Sequence, residues 1–329
     1  MKQIAIIILN WNGAKDTIEC LESLVIEDIY DVYLLDNGSR KTEIDQIIKY
    51  IQNSKYKNIS RIAKDIQEVG SFGLQMILSD ENMGFARGNN YIASKIVDHY
   101  SYIMLLNNDT VVPEGTIYSI KEVLIDSDSV AATCDIRFYY DKTKLWNAGG
   151  KLTWYKDRKY YSQSYIERIK KKGERYIYAE FITGCALMID SKYIIKYGLF
   201  TEDFFHGEED FNFCINALKR GYRLSVDLSC QLYHKVGQSI KPEANREKTF
   251  NATTVHYCNR IIDYKKVMKP SLWKLWREIY LCLVFLQRIR SNMNLLTAYK
   301  LVRRVKKITS NNDYVKKELY DSIMSNKFI

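Results

Sequence analysis

Four polar clusters in this chain each follow an apolar run, and each carries residue types that handle phosphates, cations or protons. Asn10-Trp11-Asn12 follows QIAIIIL (3–9), and Asp36-Asn37-Gly38-Ser39 follows DVYLL (31–35). Asn82-Met83-Gly84-Phe85-Ala86-Arg87-Gly88-Asn89-Asn90 comes soon after LQMILS (74–79), and Asn107-Asn108-Asp109 ends SYIMLL (101–106). Gly84 and Gly88 would let backbone come close to a ligand at the start of a helix, where anionic groups are favoured. A helix cap with a turn glycine would explain that cluster equally well. The pattern is neither G-x-G-x-x-G nor a P-loop, so a dinucleotide site is not expected. Asp109, flanked by Asn108 and Thr110, suits Mg²⁺ or Mn²⁺ bridging phosphates. Capping of a helix after Pro113 would also account for it. A fifth cluster, HGEEDFNFC (206–214), places Glu208-Glu209-Asp210 before an amphipathic segment. Acids there offset a helix dipole, or one of them takes a proton from an attacking hydroxyl. His234, beside Gly237 and Ser239, is of a type that binds a metal or touches a phosphate. Of the other histidines, His99 is expected on a helix surface, His256 within C-terminal helices, and His206 near a substrate.

These clusters need a scaffold that gathers them. The run 3–9 is continuous and β-branched, as in a strand buried on both faces of a parallel sheet. Helical periodicity over 14–25, strand 31–39, helix 42–51, strand 74–79, helix 85–99 and strand 101–106 alternate at short spacing. A helix from Pro113 and a strand over 129–134 complete a doubly wound α/β unit in the first 135 residues. In such sheets ligands sit beyond the carboxyl ends of the strands, where the four clusters fall. Segment 136–178 carries eight tyrosines and two tryptophans, Trp146 and Trp154, and reads as hairpins or irregular excursions whose aromatics suit packing there or stacking on a ligand. FITGCALMID (181–190) reads as a core strand, 209–220 as a helix ended by Gly221, and YRLSVD (222–227) as a strand.

A length of 329 residues with 47% hydrophobic and 27% charged residues excludes general disorder and a multi-span membrane protein. Seven scattered cysteines without a C-x-x-C pair predict buried reduced thiols rather than a disulfide framework or zinc site. The N-terminus shows no signal peptide. Residues 241–329 carry 19 Lys+Arg against 7 Asp+Glu, a net of +12, while residues 1–240 carry 30 against 32, a net of −2. Such a basic segment suits an anionic surface. Its SLWKLWREIYLCLVFLQRIR stretch (271–290) has no uncharged run longer than nine residues, Ile279–Gln287, far short of the ~20 a bilayer span needs. With its tryptophans and basic flanks it reads as an interfacial helix, or as one packed on the body of the protein or in a homodimer. Nucleic acid is not expected as a partner, since no nucleic-acid motif appears.

Seven motifs, IIILNWNG (6–13), LLDNGS (34–39), NMGFARGNN (82–90), LLNNDT (105–110), TGCALMID (183–190), GEEDFNFCINALKRGY (207–222) and YHKVGQS (233–239), together resemble glycosyltransferase family 2. They stand in that family's order over residues 1–240. The likeness is greatest to bacterial members of rhamnosyltransferase-like type in polysaccharide and cell-wall synthesis. It implies a GT-A fold, Rossmann-like with a mostly parallel central sheet flanked by helices, for residues 1–240. Residues 241–329 are then a basic helical extension contacting a membrane surface or an oligomer partner.

The resemblance also implies roles. Asp36 would hold the base or ribose, and Asn10 and Asn12 would lie against the nucleoside. Asn82, Gly84 and Asn89 would shape the phosphate pocket. Asn107-Asn108-Asp109 stands in place of the family's D-x-D, with Asn107 replacing its first aspartate. That leaves Asn108 beside the nucleotide, Asp109 as metal ligand, and His234 completing a Mn²⁺ or Mg²⁺ site. Asp210 matches the catalytic base, with Glu209 as a supporting acid. The activity implied is inverting transfer of a hexosyl or deoxyhexosyl unit from a UDP- or dTDP-sugar to a glycan or lipid-linked acceptor. The location implied is cytoplasmic, peripheral on the inner face of the plasma membrane. Two alternatives stay open here. One is a nucleotidyltransferase on a related sheet, which would usually carry a glycine-rich basic loop near its first strand. The other is a catalytically impaired scaffold.

Overall fold

A computed structural model describes residues 2–25, 29–66, 68–70, 72–236 and 246–325. The elements run β1 (Ile4–Asn10), α1 (Ala14–Ser23), β2 (Tyr30–Asn37), α2 (Lys41–Asn53), β3 (Ser60–Ala63), β4 (Leu74–Ser79), α3 (Phe85–Ile96) and β5 (Tyr102–Asn107). Next come β6 (Thr110–Val111), α4 (Thr116–Asp126), β7 (Ala131–Phe138), β8 (Leu145–Asn147), β9 (Gly150–Leu152), β10 (Arg158–Tyr160), α5 (Gln163–Lys171) and β11 (Tyr176–Ala179). Then follow β12 (Ala186–Asp190), α6 (Ser191–Tyr197), α7 (Glu209–Lys219) and β13 (Leu224–His234). The described C-terminal residues form α8 (Arg246–Val267), α9 (Pro270–Arg290), α10 (Leu295–Asn311) and α11 (Lys317–Met324).

The main sheet has the order β11-β13-β7-β12-β5-β1-β2-β4-β3. Its first half, β5-β1-β2-β4-β3, is wholly parallel. β12 then enters antiparallel between β5 and β7, and β13 runs parallel to β7. The apolar run of β1 divides by alternation. Ala5 and Ile7 face one core with α3, α6, α7 and the C-terminal helices, and Ile4, Ile6 and Ile8 face another with α1, α2 and α4. Burial on both faces is what an unbroken β-branched run requires.

The structure departs from the sequence expectations at several elements. β3 is a strand where a connection is expected, because SRIA at a half-exposed sheet edge carries no apolar run. α5 is a helix within the supposedly irregular segment, capped by the Ser162 hydroxyl accepting from the Tyr165 N–H. The strand expected over 181–190 begins only at Ala186. The strand expected over 222–227 runs on to His234 through an irregularity between Asp227 and Gln231. Five of the seven cysteines are buried, but Cys230 is half-buried and Cys282 exposed.

The C-terminal helices share the core of the sheet. Val255, Tyr257, Ile261, Trp273, Tyr280, Val284 and Val305 belong to the same buried cluster as Phe211 and Leu187. The two tryptophans of 271–290 are turned inward, contrary to an interfacial role for them. Trp273 is buried and donates to the Ile261 carbonyl at 2.9 Å, and half-buried Trp276 donates to the Tyr155 carbonyl at 3.1 Å. Their indole N–H groups find partners only within the protein body. The expected boundary at residue 240, with Gly237 and Ser239, lies outside the described residues. Among the described residues no helix is long and apolar enough to cross a membrane.

Candidate active site

Asp109 and His234 meet through a two-residue pairing. β6 lies antiparallel to the end of β13, with His234 opposite Thr110, and the Lys235 N–H donates to the Asp109 carbonyl at 3.0 Å. Asp109 Oδ1 and His234 Nε2 are thereby 2.9 Å apart. Trp146 from β8 packs edge-on against the imidazole at 4.3 Å, and the buried Nδ1 has no hydrogen-bond partner among the described residues. Lys235 anchors the strand end to α1 through Asp16 and Glu19, each at 2.7 Å.

A carboxylate oxygen and an imidazole nitrogen 2.9 Å apart match the ~3 Å spacing of adjacent ligands around a small divalent cation. Among the described residues no three His, Cys, Asp or Glu side chains gather to enclose a cation. The pair fits a site whose remaining ligands come from phosphate oxygens and water, the usual arrangement for Mg²⁺-type cations on nucleotides.

Asn10 is the hub of the neighbouring strand ends. Its Nδ2 donates to Asp36 Oδ2 at 2.7 Å and to the Ser39 hydroxyl at 3.1 Å. Its Oδ1 accepts from Thr17 at 2.8 Å and from Asn108 at 3.3 Å. Asp36 is fully buried, its second oxygen accepting from the Ser39 N–H at 2.9 Å. Asn37 holds the next loop by donating to the Gly84 carbonyl and accepting from the Met83 N–H. Asn82 caps the Gly84 N–H at 2.8 Å, and Asn89 donates to the Phe85 carbonyl at 2.9 Å. Gly84 has φ of +82°, and a Cβ there would come within 2.6 Å of the Phe205 carbonyl. A Cβ on Gly88 would press on Leu9 and Leu35. Close approach is needed at both glycines, but the neighbours are protein: the 205 loop for Gly84 and the sheet for Gly88.

Asp210 opens α7. Its Oδ2 accepts from the Gly184 N–H at 2.9 Å and its Oδ1 from the Phe211 N–H at 2.7 Å. The position of a Cβ on Gly184 lies between the Asp210 side chain and the Phe85 ring. The Asp109 and Asp210 carboxylates both act on the buried Cys185 thiol, which burial first and these charges next hold well above its ordinary pKa. The Asn107 N–H donates to the Cys185 carbonyl at 2.8 Å, so the turn Gly184-Cys185 is bonded on one side to the strand end two residues before Asp109 and on the other to Asp210. Glu209 is buried with one oxygen unpartnered among the described residues, and burial together with Asp210 pushes its pKa up to about 8.

Glu208 has φ of +83°. Its carboxylate accepts from Arg260 of α8 at 2.6 Å and from Arg158 at 3.0 Å. Burial pushes the Glu208 carboxyl up, but the two guanidiniums more than reverse this and leave it below its ordinary value. Both guanidiniums also lie over the Phe211 ring, at 4.3 and 4.2 Å. Asn259 donates to the carbonyls of His206 and Gly207, each at 3.0 Å. α8 thus grips the loop that leads into Asp210.

An open cleft of about 1600 Å³ joins these parts. Asn10, Asn12, Asn82, Gly84, Asn89, Asn108, Asp109 and His234 line it, with Trp11, Tyr139 and Trp146. Asp36 lies buried outside its lining, Glu209 is buried, and Asp210 stands half-buried near the lining residues Phe85 and His206. Lys248, His256, Arg288, Lys317 and Tyr320 form the facing wall. His256 stands within the C-terminal helices, in α8, as expected, but sequence reasoning missed that it and its neighbours line the cleft. Local pattern carried no signal for it, because the helices that bring these residues in are distant in the chain.

A parallel sheet whose strand ends gather amides, a carboxylate and a histidine beside a large cleft defines a GT-A-like nucleotide-sugar transferase fold. Residues 5–198, more than half of the chain, match the family described as Glycosyl transferase family 2, and the chain belongs to that family. The match ends before α7 and β13. Many solved structures share the fold, among them the following two. A structure of GalNAc-T7 with UDP, GalNAc and Mn²⁺ superposes with a TM-score of 0.58 at 11% identity, over 80% of this chain and 48% of the other. This chain thus spans about half the length of that protein. The mannosyltransferase PcManGT from Pyrobaculum calidifontis, in complex with GDP-Man and Mn²⁺, gives 0.53 at 12% identity, over 99% of this chain and 86% of the other. No curated protein matches the sequence.

Proposed function

We propose that the chain is an inverting transferase that moves a hexosyl or deoxyhexosyl unit from a UDP- or dTDP-sugar to a hydroxyl of a glycan or lipid-linked acceptor. The setting we propose is bacterial surface polysaccharide synthesis of rhamnosyltransferase-like type. The observation that carries it is the disposition of Asp109 with His234 and of Asp210 around the Gly184-Cys185 turn. Asn10, Asn12, Asn82, Gly84, Asn89 and Asn108 line the donor side of the cleft, and Asp36 braces Asn10 from beneath.

Asp109 and His234 would hold a Mn²⁺ or Mg²⁺ ion, which when bound offsets the negative charge growing on the departing nucleoside diphosphate. Asp210 takes the proton of the acceptor hydroxyl. The hydroxyl oxygen attacks the anomeric carbon opposite the sugar–phosphate bond, which breaks with its electrons going to the diphosphate. Two backbone N–H groups fix the Asp210 carboxylate while leaving it lone pairs for the acceptor proton. Glu209, neutral near pH 7 because of its raised pKa, spares Asp210 a second adjacent negative charge.

On this reading residues 1–240 carry the donor machinery and 241–329 a basic extension. The protein works at the inner face of the plasma membrane. Leu272, Leu275, Ile279 and Leu286, all exposed on one stripe of α9, and the +12 charge of residues 241–329 support binding of an anionic surface. The test is Asp210→Asn. We expect transfer to fall at least 10³-fold while nucleotide binding by calorimetry stays within twofold. Wild-type turnover in that variant refutes the base.

A further inference from the structure

We infer that the C-terminal wall of the cleft is a subsite for the phosphate or diphosphate of the acceptor, so that the acceptor is a glycosyl phosphate rather than a neutral glycan. This rests on the transferase reading above and names its substrate class.

Several cations of the C-terminal helices are held by acids. Lys265 pairs with Asp313, Lys266 with Asp203, Lys306 with Glu278 and Arg260 with Glu208. Lys248 of α8, Arg288 of α9 and Lys317 of α11 reach the cleft instead, and among the described residues no carboxylate pairs with any of them. Lys248 and Lys317 are exposed. Arg288 is half-buried and fixed by the Tyr257 hydroxyl, which accepts from its Nε at 2.8 Å and its Nη2 at 2.5 Å. A preset guanidinium with its remaining N–H groups free is the usual partner of a phosphate. Among the described residues Asp321 is the one acid lining this wall, so their charge there is in positive excess.

The donor side differs. Its acids Asp16 and Glu19 share the one cation Lys235, Glu43 lines it as well, and Asp109 is paired with His234, the pair suited to a cation that would carry the donor diphosphate. A second anion is therefore expected at the opposite wall. The C-terminal wall also carries an aromatic cluster with the loop that leads into Asp210. The rings of Phe205 and Tyr320 are 5.0 Å apart, and His206 is 6.3 Å from Tyr320. The Asp210 charge acts on His206. A sugar stacked there would lie on the loop that leads into Asp210, with an anomeric phosphate within reach of the cleft-lining cations, of which Lys317 stands 5.9 Å from the Phe205 ring.

The test uses the full chain saturated with Mn²⁺ and the nucleotide, UDP, dTDP or GDP, that binds best. Calorimetry then compares glucose, galactose and N-acetylglucosamine with their 1-phosphates and with farnesyl phosphate esters of those 1-phosphates. We expect at least one 1-phosphate to bind roughly tenfold or more tightly than its free sugar. The double variant Lys248→Gln with Lys317→Gln should remove that preference, with melting temperature and nucleotide affinity unchanged. Lys317→Arg should retain it. Tighter binding of the farnesyl ester assigns the phosphate to a lipid carrier, and equal binding assigns it to a soluble sugar phosphate. In both cases it is the loss in the double variant that supports the subsite. Equal affinity for sugars and their phosphates overturns the inference. So does a parallel fall of nucleotide affinity in the double variant, which would give these lysines to the donor diphosphate. Failure of every nucleotide to bind overturns the transferase reading itself and the inference with it.

Discussion

Replacing Arg260 by methionine separates a catalytic use of the C-terminal helices from a merely structural one. Arg260 is fully buried, gives its Nε to Glu208 at 2.6 Å and its Nη1 to Asp157 at 3.2 Å, and covers the Phe211 ring. Methionine keeps the bulk and removes the charge. Breaking one side of a buried ion pair costs about 3–5 kcal/mol. Arg158 still holds the other Glu208 oxygen at 3.0 Å, so the lower end, about 3 kcal/mol, applies. For 329 residues, an unfolding entropy of about 2.1 cal/mol/K per residue converts this to a fall in Tm of roughly 4 °C. The larger effect is on turnover. Glu208 sits in left-handed backbone two residues before Asp210, and its guanidinium clamp fixes where the base stands. A misplacement of about 1 Å lowers kcat on the order of 100-fold, with nucleotide affinity unchanged because Asp109 and His234 are untouched. Arg260→Lys should fall between, since an ammonium keeps the charge but not the two-pronged contact. Calorimetric melting, nucleotide titration and steady-state transfer read the three quantities separately. A 4 °C loss with wild-type kcat would refute the positioning role, and so would an equal fall in nucleotide affinity.

Three further outcomes are expected. His234→Ala should abolish the Mn²⁺-dependent part of nucleotide binding and leave the metal-free part intact, and equal enhancement by Mn²⁺ in both proteins would sink the ligand assignment. Glu209 has a folded pKa of about 8 against an ordinary 4.5, so between those values the unfolded chain has released a proton that the folded chain keeps, and stability falls as pH rises through that window. Asp263, pushed up to about 7 by burial and by Glu208, acts in the same direction up to that pH. Glu209→Gln should therefore flatten the decline of Tm between pH 5 and 8, and an unaltered slope contradicts a neutral Glu209. Replacing Leu272, Leu275 and Ile279 together by serine should weaken sedimentation with anionic vesicles at low salt at least tenfold, whereas unchanged sedimentation would assign that stripe to another contact.

Much of the donor side was legible because its signals are local. A β-branched run announces a buried strand, and amides or acids at its end announce a ligand edge, so Asn10, Asp36, Asn82 and Asn108–Asp109 stood out by type and place. Their division of labour was not legible. Asp36 is a fully buried brace for Asn10, and Gly84 owes its conformation to the Phe205 carbonyl, a neighbour more than a hundred residues away. The meeting of Asp109 with His234 depends on two residues of β6 against a strand that continues past the irregularity after Asp227. That continuation breaks the alternation from which strands are recognised.

The charge asymmetry of the chain shows the same limit. A net of +12 in residues 241–329 reads from the sequence as one basic patch facing one anionic surface, because summation over a segment discards direction. Folded, the same cations separate by what they face. Arg260 is buried against Glu208 beside the proposed base, and Lys248, Arg288 and Lys317 look into the cleft. Lys274 and Arg290 remain outside with the exposed leucines of α9. Long-range screening leaves the outward set sensitive to salt, while the buried pair is hardly affected. Salt titration of vesicle binding, cleft anion binding and thermal stability should therefore give three different slopes, steepest for the vesicles and near zero for the melting contribution of Arg260. A single common slope would mean that the three sets act as one patch after all.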